Sequence, residues 1–549
     1  MALPLHDVDR ILHGWFDRDR APGVAWGVVA DGRLVHAGGL GTARVGEDAR
    51  PAADTVFRIA SMTKSFVAAT VLHLRDEGLL RLDDLVEEHV PELRGLPRAT
   101  ADSPPTTLRE LLAMRSGYPE DDPWADRLEA MAEDDYTALM ARPKLRSRAP
   151  GVAFDYSNVG FTLLGRVIAE VTGRPYRDAI DERIIRPLGL ADTTWSGSGV
   201  PVDRLALGYA RFDDAWEEQP AQEPGAFSAL GGLHSTVADL AVWVAWLADA
   251  FPPRDDADPG PLSRASRREL QQVVTAMPLQ VGDRGDGILR AHADGYCLGL
   301  MSRDDLATGR TVGHSGGYPG YGSHMRWHPA TGLGVIALAN GRYAGPSEPA
   351  LEALELLVAA APAHQGVAPH PALAALRPAI DAALAAGDAA ALEPLYAGNV
   401  ALDEALARRA SRIEALPERH GSLQPEPALQ TLTPTQVRWR LVGERGSVEV
   451  EAMLSPDDPP VLQRLDVEGV LPPSDGLAAA ADAAVAAVLG GDLAPALGDA
   501  TARRWVASDG DRVGAVLVSG AHLDVRIELD LDGDPVARVA PAERYPAPW

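Results

Sequence analysis

One cysteine occurs in 549 residues, at position 297, so the chain can form no internal disulfide. That thiol sits in GYCLGL, an apolar setting that predicts a buried small hydrophobe and not a reactive group. No run approaches the roughly 18 apolar residues of a membrane-spanning helix. Positive charge is also short: 51 Lys and Arg stand against 78 Asp and Glu, for a net charge of −27. With no basic cluster to offset it, this balance argues against nucleic acid and anionic membrane surfaces as partners. The opening MALPLHDVDRILHGWF has no basic leader, and His6, Asp7 and Asp9 interrupt its apolar residues, so the expected location is cytoplasmic. The scarcest charged residue is lysine. Only Lys64 and Lys144 are present, and every other basic residue is arginine.

A hydrophobic content of 46% with 23% charged residues fits a folded chain, and its length suggests two to four domains. Leu5, Val8, Leu12 and Phe16 mark one face of a first helix. The runs on either side of Asp31-Gly32 read as a β-hairpin. A helix is expected over 61–77 with Gly78 as its stop, and another from Val159 to about Thr172. Thr107 and Glu110 form a capping-box pattern. Strand character returns over 310–340, and these strands and the opening hairpin could share one antiparallel sheet. The Pro- and Ala-rich passage 361–371 reads as a linker. Beyond it, 372–549 reads as an α+β accessory region. The similarity of IDAALAAGDAAAL and AAVAAVLGGDLAPAL hints at two helix-then-strands units, 372–472 and 473–549.

Lys64 stands three residues after Ser61 in RIASMTKSF, and on a helix this spacing puts both side chains on one face. Serine is a weak nucleophile until a neighbouring base takes its proton. Lysine can serve if burial lowers its pKa from about 10.4 toward neutrality, whereas arginine cannot. Chance gives only about 0.1 such Ser-x-x-Lys matches in this composition. A phenol held among cationic groups is a further acid/base candidate, because nearby positive charge makes its pKa fall. Asn158 lies at the start of a helical run and also suits an N-cap.

With FRIASMTKSF, the YSN of FDYSNVGFTLLG and the HSG of VGHSGGYPGYGSHMRWHP in order, residues 5–360 resemble the serine β-lactamase and penicillin-binding-protein superfamily, class C-type. ALLAMRSGY and SALGGLHSTVADLAVW are similar to segments of the same family. The resemblance implies a β-lactamase/transpeptidase-like α/β (α+β) domain over 1–360, an antiparallel sheet flanked by helices, with no cofactor and no metal. It implies Ser61 as acyl-accepting nucleophile, Lys64 as its proton acceptor and Tyr156 as proton relay. Asn158 would hold Lys64 and substrate, His314, Ser315 and Gly316 would form the third motif, and the N–H groups of Ser61 and Gly317 would make the oxyanion hole. His314 stands where β-lactamases carry lysine. A histidine near pH 7 is largely neutral, so it is a weaker carboxylate anchor, although it could hydrogen-bond to Tyr156. This turns the expectation toward the esterase and D-aminopeptidase branch: a serine hydrolase of small esters, amides or short D-peptides. The alternatives are a DD-peptidase or weak β-lactamase, and a non-catalytic scaffold on the same fold. The loops around Tyr118 and Trp124 are expected to line the acyl pocket, and the C-terminal region to flank the cleft. The sequence leaves the oligomeric state open.

Other signals fail on context. Gly313-His314-Ser315-Gly316-Gly317 fits G-x-S-x-G, but the glycines and Pro319 that follow forbid the helix a nucleophile elbow requires. Asp530, Asp532 and Asp534 mimic a calcium loop, with Pro535 and Pro541 where glycine and glutamate belong. The glycines of HAGGLGTARVG lead into no helix, so they make no nucleotide fingerprint.

Overall fold

The computed structural model describes residues 3–17, 20–258, 260–282, 290–305, 308–361, 368–490, 502–510, 512–519, 523–531 and 536–541. Residues 362–367 of the expected linker, and Asp532 to Pro535 of the calcium-like run, lie outside them. The chain divides into two compact units, Met1–Gln280 with Ala291–Pro362 and Ala363–Pro546 with Val281–Arg290.

The first unit is built on an eight-stranded sheet. Its strands are β1 (Gly23–Ala30), β2 (Arg33–Gly41), β3 (Thr275–Gly282), β4 (Arg290–Tyr296), β5 (Met301–Asp305), β6 (Gly309–Tyr318), β7 (Tyr321–His328) and β8 (Leu333–Ala339). They lie in the order β2-β1-β8-β7-β6-β5-β4-β3. The first hairpin therefore joins the late strands in one sheet, with Val24 opposite Ala339 in an antiparallel ladder. Asp31 and Gly32 both take positive φ, as a two-residue hairpin turn requires. Strands β3 to β5 lie outside the strand runs expected from the sequence. Pro278 and wide exposure mask β3, and charges mask β4 and β5; those charges are matched locally: Arg303 reaches Asp294 on the neighbouring strand at 2.8 Å, and Arg310 reaches Asp304 at 2.9 Å.

Helices cover both faces of this sheet. Helix α1 (Leu5–Phe16) lies against the face on which Trp26 points, and Trp26 donates to Asp9 at 3.0 Å. Its buried stripe is Val8, Leu12 and Trp15, so Trp15 and not Phe16 completes the expected face. Two further helices pack inside the helical side of the unit: α2 (Thr63–Asp76), preceded by a tight turn over Ala60–Met62, and α3 (Asn158–Thr172), closed by Gly173 at φ 66°. Helix α4 (Val237–Ala248) packs on the opposite sheet face, where a Cβ at Gly27 would meet Val237 at 2.5 Å. Helix α5 (Ser347–Ala360) covers β7 and β8. Helix α2 is buried almost all round, with Phe66 stacked on Trp243 at 4.0 Å, so its residues are fixed by core packing on every side. The capping box at Thr107 and Glu110 is formed. Cys297 is fully buried, and burial pushes its thiol up to about 12.

The second unit runs helix-then-strands twice. Helix α6 (Pro371–Ala386) starts on a proline at its first turn, and short helices to His420 lead into β9 (Gln424–Thr433), β10 (Gln436–Gly443), β11 (Gly446–Leu454) and β12 (Leu462–Val470). Helix α7 (Asp475–Gly490) precedes β13 (Ala502–Ser508), β14 (Val513–Ser519), β15 (Leu523–Asp530) and β16 (Val536–Pro541). All eight strands form one sheet in chain order. The two halves meet at the parallel pair Val470 and Ser508, and each has its own apolar core, one around Trp439 and Leu441, the other around Leu477 and Val516.

Candidate active site

Ser61 sits in the tight turn that opens α2, and the residue before it, Ala60, is held at φ 47°. A left-handed alanine is strained backbone, tolerated where the surroundings over-determine it. Here β6 does so. A Cβ on Gly316 would lie 2.2 Å from the carbonyl of Ile59 and 3.1 Å from Ala60, so only glycine lets the strand close on the turn. The ribbon pairing Phe57–Arg58 with His234–Ser235 fixes the other side. Beneath it, Arg58 forms a buried ion pair with Glu129, and Glu129 also accepts from Tyr318 at 2.8 Å and from Ser228 at 3.0 Å. Arg58 donates to Gly231 O at 3.1 Å. One buried node thus ties together the turn, β6 and the 228–231 segment.

Lys64 is fully buried and its Nζ lies 2.9 Å from Ser61 Oγ, 2.7 Å from Asn158 Oδ1 and 2.6 Å from Leu230 O. Two of these neighbours can only accept a hydrogen bond, and the third is a hydroxyl. A neutral amine, with two protons and one lone pair, therefore satisfies the site by giving its protons to Asn158 and Leu230 and turning the lone pair to Ser61. Burial pulls the lysine down to about 8, against the upward pull of Asp122, Asp126 and Asp121. A useful fraction is then neutral near physiological pH.

Asn158 is the first residue of α3, and the cap position expected of it belongs to Ser157. Asp121 accepts from the backbone N–H groups of Asn158 at 2.7 Å and Val159 at 2.9 Å, securing the helix start. Asp122 Oδ1 takes the Asn158 Nδ2 proton at 2.5 Å, which leaves Asn158 Oδ1 turned to Lys64.

Tyr156 is half-buried, with its ring 5.1 Å from Lys64 Nζ and its hydroxyl beside Ser61. The expected fall in its pKa is corrected: burial, followed by Asp122, Asp126 and Asp121, raises it well above 10. Tyr156 is a neutral phenol, suited to pass on a proton and not to wait as a phenolate.

His314 is buried, and burial followed by the charge of Lys64 lowers it to about 3. Its Nδ1 lies 2.5 Å from the carbonyl of Ser315, which can only accept, so Nδ1 carries the proton. Nε2 then accepts from Tyr296 at 3.1 Å. The expected bond to Tyr156 is replaced by this one, the two rings being 6.4 Å apart. Both ring nitrogens are engaged with protein. From His314 to the end of this strand, Ser315 and Gly317 are the part-exposed positions. Ser315 stands in a strand that turns directly into β7, with no helix after it. Tyr118 is buried under the Arg146 guanidinium at 3.6 Å and Trp124 is half-exposed.

The structure thus brings Ser61, Lys64, Tyr156 and Asn158 together and sets His314, Ser315, Gly316 and Gly317 on the strand beside them. Sequence reasoning missed Asp121, Asp122, Asp126, Tyr296 and the carbonyl of Leu230. The acidic residues of EDDPWAD lie some 35 residues before Asn158, and no spacing rule links the two. Among the described residues no His, Cys, Asp and Glu group could hold a metal ion, and no helix is long and apolar enough to cross a membrane.

Comparisons with known proteins agree on the first unit. Residues 8–360 match the family model described as Beta-lactamase. The chain is 31% identical over 241 residues to the D-alanyl-D-alanine-carboxypeptidase/endopeptidase AmpH of Escherichia coli strain K12, an alignment covering 43% of this chain and 60% of that relative. The octameric penicillin-binding protein homologue from Pyrococcus abyssi shares the fold at TM-score 0.55 and 19% identity, over 95% of this chain and 98% of that one. A class C beta-lactamase does so at TM-score 0.51 and 19% identity, over 65% of this chain and 95% of its own. By the length of the family match, the chain belongs to the Beta-lactamase family.

Proposed function

We propose that the first unit hydrolyses small esters or amides through an acyl-enzyme on Ser61. Neutral Lys64 takes the Ser61 proton as Oγ attacks the substrate carbonyl. The N–H groups of Ser61 and Gly317 receive the oxyanion. Tyr156 relays the proton to the leaving group, and water then releases the acyl group by the reverse path. The observation that carries this reading is the 2.9 Å contact of Lys64 Nζ with Ser61 Oγ, where the other two neighbours leave only a lone pair for the serine. A neutral, fully engaged His314 supports substrates that need no carboxylate anchor at that position. Likeness to a relative named as a D-alanyl-D-alanine-carboxypeptidase/endopeptidase favours a second reading, action on short D-peptides.

The test is fluorophosphonate labelling with the modified peptide mapped by mass spectrometry. The expected label is on Ser61 and is lost in Lys64→Ala. A label on Ser315 would sink the reading, and absence of any label would favour a scaffold without catalysis. Long-lived stoichiometric acylation by a penicillin, with poor ester turnover, would move the assignment to the D-peptide reading.

A further inference from the structure

Ser315 lies directly opposite His324 across the β6–β7 ladder, and Gly313 lies opposite Arg326, so the three side chains share one face of the sheet. Gly313 makes the room: a Cβ there would meet Arg326 Cβ at 3.2 Å. Arg326 Nε donates to His324 Nε2 at 3.2 Å, and its Nη1 donates to Thr311 at 2.9 Å. His324 is 1% exposed, and burial followed by the charge of Arg326 keeps its pKa well below 6.5, so the ring holds a single proton. Because Nε2 accepts from a guanidinium that has no lone pair to offer, that proton is on Nδ1. Nδ1 in turn lies 2.8 Å from Ser315 Oγ and donates to it. The Ser315 hydroxyl therefore receives a bond from behind and has its own proton to give. Burial lowers Arg326 only to about 10, so it stays cationic at neutral pH.

We propose that Arg326 and His324 are positioning residues that fix Ser315 as a polarised hydrogen-bond donor toward substrate, restoring from behind the strand the positive charge that His314 does not supply. The substrate group this donor favours is an anionic oxygen, above all a carboxylate on the leaving portion. Such a group is assisted and not required. The relay rests on the acyl-enzyme reading above, since it acts on substrates of Ser61.

The experiment compares two thioesters, hippuryl thioglycolate with its free carboxylate and the corresponding methyl ester, in the full chain and in variants. Arg326→Gln keeps a donor to His324 and removes the charge. It is expected to raise KM for the free acid about five- to tenfold, in line with the loss of a charge-assisted hydrogen bond, while KM for the methyl ester and both kcat values stay within about twofold. Arg326→Lys is expected to restore the preference. Ser315→Ala should abolish the preference for the free acid over the methyl ester, and adding Arg326→Gln to it should cost no further preference, because the residues act in series. Should Arg326→Gln fail to fold, His324→Asn, which keeps a donor near Ser315 but breaks the link to the charge, is expected to reproduce the effect. Equal rises in both KM values, no change in either, or additive losses in the double variant would overturn the relay. Fluorophosphonate labelling of Ser61 is measured alongside: an unlabelled wild type overturns the acyl-enzyme reading and the relay with it, whereas a labelled enzyme without the KM split overturns the relay alone.

Discussion

Lys64 and Lys144 both donate to backbone carbonyls, and burial lowers the pKa of both. Lys144 is part-exposed at the end of the helix Glu133–Met140, where it donates to the carbonyls of Leu139 and Arg142. Its neighbours Arg142 and Arg146 push its pKa the same way as burial does. A cation at a helix C-terminus meets unsatisfied carbonyls, and arginine can do that work as well as lysine. Lys64 has no exposure, a hydroxyl among its three partners, and carboxylates that oppose the effect of burial. What distinguishes position 64 is this balance: enough burial to free the lone pair, enough negative charge to keep its pKa from falling further.

Replacing Lys64 breaks that balance most severely. Lys64→Arg is expected to lower kcat/KM for a p-nitrophenyl ester by about 10³-fold or more, the scale of a lost general base, while the Ser61 fluorophosphonate label disappears. Tyr156→Phe is expected to cost about 10²-fold in kcat, read by steady-state kinetics with a poor leaving group, where proton relay matters most. Next comes pH. In the proposed mechanism only the neutral amine is active, so kcat/KM should rise with pH through a midpoint near 8. Asp122 raises the lysine pKa, so Asp122→Asn, which keeps an acceptor for Asn158, should move that midpoint below 8. A midpoint that stays put or climbs would contradict the electrostatic account. The smallest effect belongs to the other lysine: Lys144→Arg is expected to leave kcat/KM within about twofold and stability within about 0.5 kcal/mol by thermal melting.

Much of this was legible because local chemistry and packing agree. The lysine retained at 64, the turn at Asp31-Gly32 and the capping box at Thr107 each rest on a few neighbouring residues, and each is found in the structure. The sheet shared by the first and last strands of the first unit was readable from strand runs at both ends. Strands β3 to β5 were not: β3 is largely exposed and interrupted by Pro278, and the charges of β4 and β5 are satisfied by partners on neighbouring strands, which leaves no apolar pattern. The direction of the Tyr156 shift was also missed. It depends on Asp121, Asp122 and Asp126, which only the fold brings near. His314 could be recognised as a departure from lysine, but its two partners, a backbone carbonyl and Tyr296, fix its tautomer in a way no motif encodes.

The pairing of Val24 with Ala339 has a consequence for synthesis on the ribosome. Strand β1 is interior to the finished sheet, yet its partner β8 emerges only after the whole helical region has been made. At about 5–20 residues per second, the hairpin carrying Trp26 waits on the order of tens of seconds with one strand edge open. During that interval the Ser61 turn and α2 have left the ribosome before the strand that braces them. Assembly of the Ser61 site is therefore a late event in the life of the nascent chain, and a ribosome stalled before residue 309 would hold a Ser-x-x-Lys helix without its strand and an unpaired strand edge open to other chains.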